Sequence, residues 1–164
     1  MSKTEKNLQE AFAGESQANR KYLAFAKKAE AEGYKQVAKL FRAAADAETV
    51  HAWNHLKELN GIKSTKENLE AAVGGETYEF QNMYPPMITE AEKEGNKSAL
   101  RSFTYANEVE KIHAALYKKA ADTLGKNEET DYYVCQICGN TVEGEPPDQC
   151  PVCGALKKMF KKVE

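Results

Sequence analysis

Cysteine is absent from the first 134 residues of this 164-residue chain, and all four cysteines lie between Cys135 and Cys153. They form two Cys-x-x-Cys pairs. In a reducing compartment, clustered pairs of this kind hold a metal more often than they form disulfides. The sequence therefore predicts a four-thiolate metal site near the C-terminus, separate from a large region that has no cysteine.

The sequence also lacks the features that mark several other classes of protein. A net charge of −2 gives no basic excess for binding nucleic acid or an anionic membrane. No apolar run is long enough to span a bilayer, and the polar first residues, MSKTEKNLQEAF, do not resemble a signal peptide. No glycine-rich nucleotide fingerprint is present. We expect a cytoplasmic protein with no nucleic-acid, membrane or nucleotide partner site.

Apolar residues three and four positions apart predict four long helices. The first covers about 4 to 31 and the second about 35 to 60. The third begins at a capping box, Ser64-Thr65-Lys66-Glu67, and is kinked at Pro85-Pro86. Gly95-Asn96 ends it and caps the fourth helix. The predicted fold class is an all-α four-helix bundle followed by a small metal-binding domain, with boundaries at 1–124, a linker at 125–131, and 132–164.

An internal repeat relates the two halves of the bundle. AGES at 13–16 is echoed by GGET at 74–77, an offset of 61, whereas AEAEG at 29–33 is echoed by AEKEG at 91–95, an offset of 62. The second copy therefore contains one extra residue. The offset of 62 pairs Glu48 with Glu110 and His51 with His113, so the bundle is predicted to be a duplicated helix pair with pseudo-twofold symmetry.

Four glutamates occupy positions where the helical pattern calls for an apolar residue. A buried carboxylate is costly unless it is paired or binds a metal. Two of them belong to Glu-x-x-His motifs, whose side chains share one helix face. One Glu from each of two helices, with Glu-x-x-His from the other two, is the arrangement of diiron and dimanganese carboxylate proteins. The predicted ligands are Glu15, Glu48, His51, Glu76, Glu110 and His113.

Other residues near these faces have less certain roles. Glu79 breaks the repeat, since its counterpart is Ala18, and it is either a solvated side chain or an additional ligand. Tyr22 and Tyr84 either pack in the core or donate hydrogen bonds to ligand carboxylates. His55 is interpreted as a packed or supporting histidine, and Trp53 as a packing residue that faces away from the site.

The cysteine pairs predict a tetrahedral site formed by Cys135, Cys138, Cys150 and Cys153. Gly139 and Gly154 follow the two pairs and permit the turn that each knuckle requires. The spacing does not identify the metal, and a structural zinc ribbon would use the same four ligands.

The sequence resembles the rubrerythrin family over nearly its whole length. The resemblance rests on GES at 14–16, the two Glu-x-x-His motifs, GETYE at 75–79, and the CQICG and CPVCG knuckles. It implies a ferritin-like bundle followed by a rubredoxin-like domain. The 11 residues between the knuckles are fewer than in free-standing rubredoxins, a shortening that rubrerythrins share.

The resemblance also implies an activity and the residues for it. Hydrogen peroxide would be reduced at a site of two iron ions, and a third iron on the four cysteines would relay electrons from rubredoxin or an NAD(P)H-dependent reductase. Glu48 and Glu110 would bridge the two ions, and His51 and Glu79 would exchange as ligands to one of them. A homodimer would place the cysteine domain of one chain near the diiron site of the other. The residues assigned to catalysis are Glu79, His51, Tyr22 and Tyr84; those assigned to the diiron site are Glu15, Glu48, Glu76, Glu79, Glu110 and His113.

Two alternatives remain open from the sequence. A ferroxidase or iron-storage protein would explain the bundle but would leave the four cysteines without a role. A module with a zinc ribbon that binds nucleic acid would use the lysines near the C-terminus, which include Lys157, Lys158, Lys161 and Lys162. The second alternative does not explain the glutamates in the bundle.

Overall fold

The computed structural model describes all 164 residues and divides them into two compact units, residues 1–63 and 64–164. The first unit consists of two helices, α1 (Lys3–Ala31) and α2 (Lys35–Glu58). The second contains α3 (Thr65–Tyr78), α4 (Tyr84–Lys93) and α5 (Lys97–Asp122), followed by three short strands. None of the helices combines the length and the apolar character needed to cross a membrane.

Helices α1 and α2 pack closely because small side chains line their contact. The buried side chains of the two helices are Asn19 and five alanines. The Asn19 amide donates to the carbonyl oxygen of Ala45 at 2.7 Å and to the hydroxyl of Thr49 at 2.9 Å, and these bonds tie α1 to α2. At the turn between them Gly33 has φ 86°, a conformation that favours glycine.

The third predicted helix is interrupted before its prolines. Helix α3 begins at the expected capping box, in which the Glu67 amide donates to Ser64 Oγ. It ends at Tyr78 and is followed by one π-helical turn, Glu79–Met83. Pro85 and Pro86 then lie in the first turn of α4, where a missing amide proton costs no helical hydrogen bond. The helical irregularity in the structure is thus a π turn that directly precedes the prolines at which a kink is predicted.

The π turn also accounts for the irregular repeat. Between Thr77 and Ala91 the second copy has one residue more than the first. Hydrogen bonds from i to i+5 enclose one more residue per turn than those of an α-helix, so a π turn absorbs an insertion without unwinding the helix. The extra residue is accommodated at Glu79–Met83, beside the predicted metal ligands of α3.

The C-terminal strands form a small antiparallel sheet in the order β2-β1-β3. Strand β1 (Tyr132–Cys135) is central, between β2 (Thr141–Glu143) and β3 (Phe160–Lys162), and a 3-10 turn at Lys157–Met159 precedes β3. The sheet bears the four cysteines, and we refer to residues 132–164 as the cysteine module. The buried side chains of this module are Cys135, Asn140, Pro146 and Cys150.

Candidate metal centres

Three predicted ligands come together in the first unit. His51 Nδ1 lies 2.8 Å from Glu48 Oε2 and 3.9 Å from Glu15 Oε1. The three ligand atoms of this group all lie within 4.8 Å of one another, close enough to bind one metal ion. Helix α1 supplies one carboxylate, and a single turn of α2 supplies the other carboxylate and the imidazole. We call Glu15, Glu48 and His51 the first cluster.

The second unit repeats this arrangement with the same spacing. His113 Nδ1 lies 2.8 Å from Glu110 Oε2 and 3.9 Å from Glu76 Oε2. These three residues also form a group whose ligand atoms are within 4.8 Å. The agreement shows that the sequence repeat preserves the ligand geometry as well as the residue types. We call Glu76, Glu110 and His113 the second cluster.

The cluster side chains are half-buried, with one exception. The exposed fractions of the Glu48 and Glu110 side chains are 17% and 15%. His113 is 26% exposed, whereas His51 is 54% exposed. The two histidines therefore occupy equivalent positions in the repeat but differ in solvent exposure, and His51 is the more exposed.

The carboxylates in and near the second cluster are close enough to repel one another. Burial and the nearby Glu110 carboxylate raise the pKa of Glu76. Burial and the Glu76 carboxylate raise the pKa of Glu79 in the π turn. Crowded, partly buried carboxylates favour a bound cation, because the cation relieves both the desolvation and the repulsion. The donors present, carboxylate oxygens and imidazole nitrogens, suit iron or manganese.

The two tyrosines assigned to the site have different environments. The Tyr84 ring packs 6.4 Å from Phe103, and burial followed by the Glu79 carboxylate raises the pKa of its hydroxyl, which places Tyr84 beside the second cluster. The Tyr22 ring packs 6.1 Å from Phe41 and 6.3 Å from Phe25. Neither tyrosine hydroxyl is hydrogen-bonded to a ligand carboxylate.

His55 and Trp53 belong to neither cluster. His55 is half-buried on α2, and Trp53 is 59% exposed on the same helix. Trp53 lines a shallow groove with Phe12 and Leu56. The structure thus leaves both residues outside the two groups of metal-binding side chains.

The four cysteines form one cluster of free thiols. Cys135 and Cys153 sulfurs are 3.7 Å apart, and Cys138 and Cys150 sulfurs are 3.6 Å apart. Such distances exclude disulfides and suit four thiolates around one metal ion. The glycine after each pair has the positive φ that a knuckle requires, 85° at Gly139 and 73° at Gly154.

One sulfur of this cluster is already disposed to lose its proton. Burial alone would raise its pKa, but backbone N–H groups of Cys153 and Val152 lower the pKa of Cys150 to about 7. Burial raises the pKa of Cys138 and of Cys153. A metal ion would deprotonate all four thiols, since the thiolate is the ligand.

Two residues near the cysteines make contacts that the sequence did not predict. Asn140 is 3% exposed, and its amide nitrogen lies 3.6 Å from Cys150 Sγ. The next residue, Thr141, has its Oγ1 2.9 Å from His113 Nε2. A second link between the cysteine module and α5 is the ion pair of Lys119 with Glu143, at 2.6 Å. The cysteine module is therefore docked on the helix that supplies a ligand histidine.

Comparisons with known proteins agree with these two sites. The rubrerythrin family model matches residues 6–121, and the model of the rubrerythrin rubredoxin-like domain matches residues 133–161. Rubrerythrin-2 of Clostridium acetobutylicum is 36% identical, over 94% of this chain and 93% of its own. Nigerythrin of Nitratidesulfovibrio vulgaris is also 36% identical, over 96% of this chain and 85% of its own.

Solved structures give the same result. The fully reduced, all-ferrous state of nigerythrin matches with a TM-score of 0.60 and 35% identity, covering 99% of this chain and 88% of that one. The mixed-valence state of nigerythrin matches with the same TM-score. The fold is thus the predicted ferritin-like bundle with a rubredoxin-like domain, and the Glu, His and Cys groups fit a diiron carboxylate site and an iron–tetracysteine site. This chain belongs to the rubrerythrin family.

Proposed function

We propose that this protein is a peroxide reductase that converts hydrogen peroxide to water at a diiron carboxylate site and receives electrons through an iron–tetracysteine centre. The observation that supports this most directly is the duplicated Glu, Glu, His cluster in a chain that also holds four clustered thiols. The first feature supplies ligands for two metal ions, and the second supplies ligands for a one-electron centre. Membership of the rubrerythrin family supports the same activity.

The ligands proposed for the two iron ions are Glu15, Glu48, Glu76, Glu79, Glu110 and His113, with Glu48 and Glu110 bridging. We further propose that His51 and Glu79 exchange as ligands to one ion when its oxidation state changes. The greater exposure of His51, at 54%, supports an exchangeable ligand. The location of Glu79 in a π turn supports it too, because π turns interrupt regular helix packing and occur often at functional sites.

Two ferrous ions held by these residues would supply two electrons, the number that hydrogen peroxide requires. The balanced reaction is H₂O₂ + 2 H⁺ + 2 e⁻ → 2 H₂O, so the protein must also deliver protons. Glu79 is proposed for this task because it lies in the π turn near Glu76, where burial and the Glu76 carboxylate raise its pKa. Tyr84, beside the same carboxylates, is proposed to orient the groups that transfer the proton.

The electrons must come from outside the chain. No nucleotide fingerprint is present in the sequence, so we propose rubredoxin or an NAD(P)H-dependent reductase as the donor to the cysteine centre. We also propose that the protein is cytoplasmic and acts as a homodimer. The family resemblance would place the cysteine domain of one chain near the diiron site of the other, whereas within this chain Thr141 of the cysteine module contacts His113.

A reaction with the two possible oxidants tests the proposal against ferroxidase activity. The iron-loaded protein is reduced without oxygen and mixed with either hydrogen peroxide or dissolved oxygen. We expect peroxide to oxidise it much faster than oxygen does, with one peroxide consumed per two electrons. Glu110→Ala should remove this reaction, and Glu108→Ala, an exposed neighbour paired with Lys111, should retain it. Faster oxidation by oxygen, with ferric iron accumulating, would instead support ferroxidase activity.

A further inference from the structure

The Thr141 hydroxyl contacts two groups, a backbone carbonyl and a histidine ring. Thr141 Oγ1 donates to the carbonyl oxygen of Gly139 at 3.2 Å. A carbonyl can only accept, so the single hydroxyl proton is used in that bond. The lone pairs of Oγ1 then remain available to His113 Nε2, which lies 2.9 Å away.

The other ring nitrogen of His113 faces the carboxylates of the second cluster. Nδ1 lies 2.8 Å from Glu110 and 3.9 Å from Glu76. A metal ion bound there would take the Nδ1 lone pair, so the single proton of the neutral imidazole would lie on Nε2, where Thr141 can accept the hydrogen bond. Thr141 therefore supports the tautomer in which His113 binds metal through Nδ1.

The equivalent histidine of the first cluster lacks such support. His51 Nδ1 has the same 2.8 Å contact with its glutamate, but His51 Nε2 makes no hydrogen bond to the protein. The repeat cannot supply one, because the cysteine module occurs once in the chain and Thr141 has no counterpart. Two histidines with the same ligand geometry thus differ in one respect, the hydrogen bond on the opposite ring nitrogen.

We propose that Thr141 is a positioning residue that makes His113 a permanent metal ligand, whereas the absence of an equivalent residue leaves His51 free to leave its metal. The cysteine module would thereby impose a functional asymmetry on two clusters that the sequence repeat made equal. The proposal rests on the proposed function in requiring that both clusters bind metal and that His51 can exchange as a ligand.

Asn140 extends the same connection to the other centre. Its buried amide donates to Cys150 Sγ, and the adjacent Thr141 contacts Nε2 of His113. Consecutive residues therefore contact a ligand of each metal site. The position of the Thr141 hydroxyl depends on the knuckle that the four cysteines hold in place, so an intact cysteine site is required for firm binding of His113.

Nuclear magnetic resonance of the full chain loaded with zinc, with ¹⁵N-labelled histidine, tests the proposal without any turnover. We expect His113 to bind zinc through Nδ1 and to carry a slowly exchanging Nε2–H, and His51 to lack a protected ring proton. In Thr141→Val, exchange of the His113 ring proton and release of zinc from the second cluster to a chelator should each accelerate about 10- to 100-fold. Thr141→Ser, which keeps the hydroxyl, should restore both rates.

Thr104→Val is the matched control. It also removes one threonine hydroxyl from the second unit, but that hydroxyl donates to the carbonyl of Leu100 in its own helix. The proposal is overturned if wild-type His113 binds zinc through Nε2, or if Thr141→Val exchanges and releases zinc at the wild-type rates. Zinc bound at the cysteines alone would contradict the carboxylate metal site and the proposed function with it. A protein that binds zinc as expected but does not reduce peroxide would contradict the proposed function alone.

Discussion

Thr141 and His113 are 28 positions apart in the sequence, yet the hydroxyl oxygen of Thr141 lies 2.9 Å from Nε2 of the His113 ring, within hydrogen-bond distance. The contact joins the cysteine module to a helix of the bundle at a metal ligand. Because Asn140 contacts a cysteine sulfur, the same short segment touches ligands of both metal sites. The predictions below concern this connection, the carboxylates of Glu76 and Glu79, and the metal on the cysteines.

The first prediction concerns the reduction potential of the cysteine centre. Replacing Asn140 by leucine removes a hydrogen bond to Cys150 Sγ, and such bonds stabilise the more electron-rich reduced state. We expect the potential to fall by about 40 mV, the equivalent of about 1 kcal/mol for one electron. Spectroelectrochemical titration of the red absorbance measures it. Asn127→Leu, in the exposed linker, should leave the potential unchanged. An unchanged potential in Asn140→Leu would contradict a hydrogen bond from Asn140 to Cys150 Sγ in the iron-loaded protein.

The second prediction concerns proton delivery. Glu79→Gln keeps the size of the side chain but removes both a proton donor and the carboxylate proposed to exchange with His51, so reaction of the reduced protein with peroxide should slow about 100-fold or more. The five other proposed ligands and His51 remain, and we expect two iron ions still to bind. Rapid mixing with peroxide gives the rate, and iron analysis gives the occupancy. Glu90→Gln, an exposed acid on α4 paired with Lys93, is the control. A wild-type rate in Glu79→Gln would remove this residue from the reaction.

The third prediction concerns the stability of the metal-free protein against pH. Burial raises the pKa of Glu76 and of Glu79 above the ordinary value of 4.5, so the native state holds protons that the unfolded chain has released. Stability should therefore fall as pH rises from about 4.5 through the raised pKa values. Urea unfolding of the helices, followed by circular dichroism, should show a weaker fall in Glu79→Gln.

The control for this pH effect has the opposite sign. Hydrogen bonding to Lys119 lowers the pKa of Glu143, so its ionisation contributes stability that is lost as pH falls through the lowered pKa. Glu143→Gln should therefore not weaken the loss of stability at rising pH. Equal slopes for wild type and Glu79→Gln would contradict the electrostatic account of the second cluster.

The fourth prediction concerns removal of the metal from the cysteines. The cysteine module buries two cysteines, one asparagine and one proline, and no large apolar side chain, so a bound metal must supply much of its folding free energy. A chelator that removes this metal should unfold the three-stranded sheet while α1 and α2 stay helical. Backbone amide spectra of Val134 and Val142 in the sheet report the first event, and those of Ala38 and Ala45 in α2 report the second. A sheet that survives without metal would contradict the prediction.

Much of this organisation was predictable because it depends on local chemistry or on periodicity. The capping box at Ser64 and Glu67 and the turn at Gly33 follow from short-range hydrogen bonding and from φ. The clusters follow from helical spacing, since Glu48 and His51 must share a face of α2. The extra residue of the second repeat indicated an irregularity near α3, and the structure shows it as a π turn.

Other features could not be predicted because they depend on tertiary contacts. Nothing in the local sequence pairs Thr141 with His113, because their contact requires the cysteine module to dock on α5. The unequal exposure of His51 and His113 has the same origin, since their sequence environments are duplicated. The sequence also did not predict that a π turn at Glu79–Met83 would precede the prolines, which lie in the first turn of α4 where they are tolerated.

The most direct test of the whole account follows the red colour of the cysteine centre after a single addition of peroxide. The iron-loaded protein is fully reduced without oxygen, mixed with one equivalent of hydrogen peroxide, and observed by stopped-flow absorbance. We predict rapid return of the red colour in the wild type and in Glu108→Ala, because the oxidised carboxylate site draws an electron from the cysteine centre. Glu48→Ala should lose the rapid phase. A slow return of colour that Glu48→Ala leaves unchanged would contradict peroxide reduction at the carboxylate site.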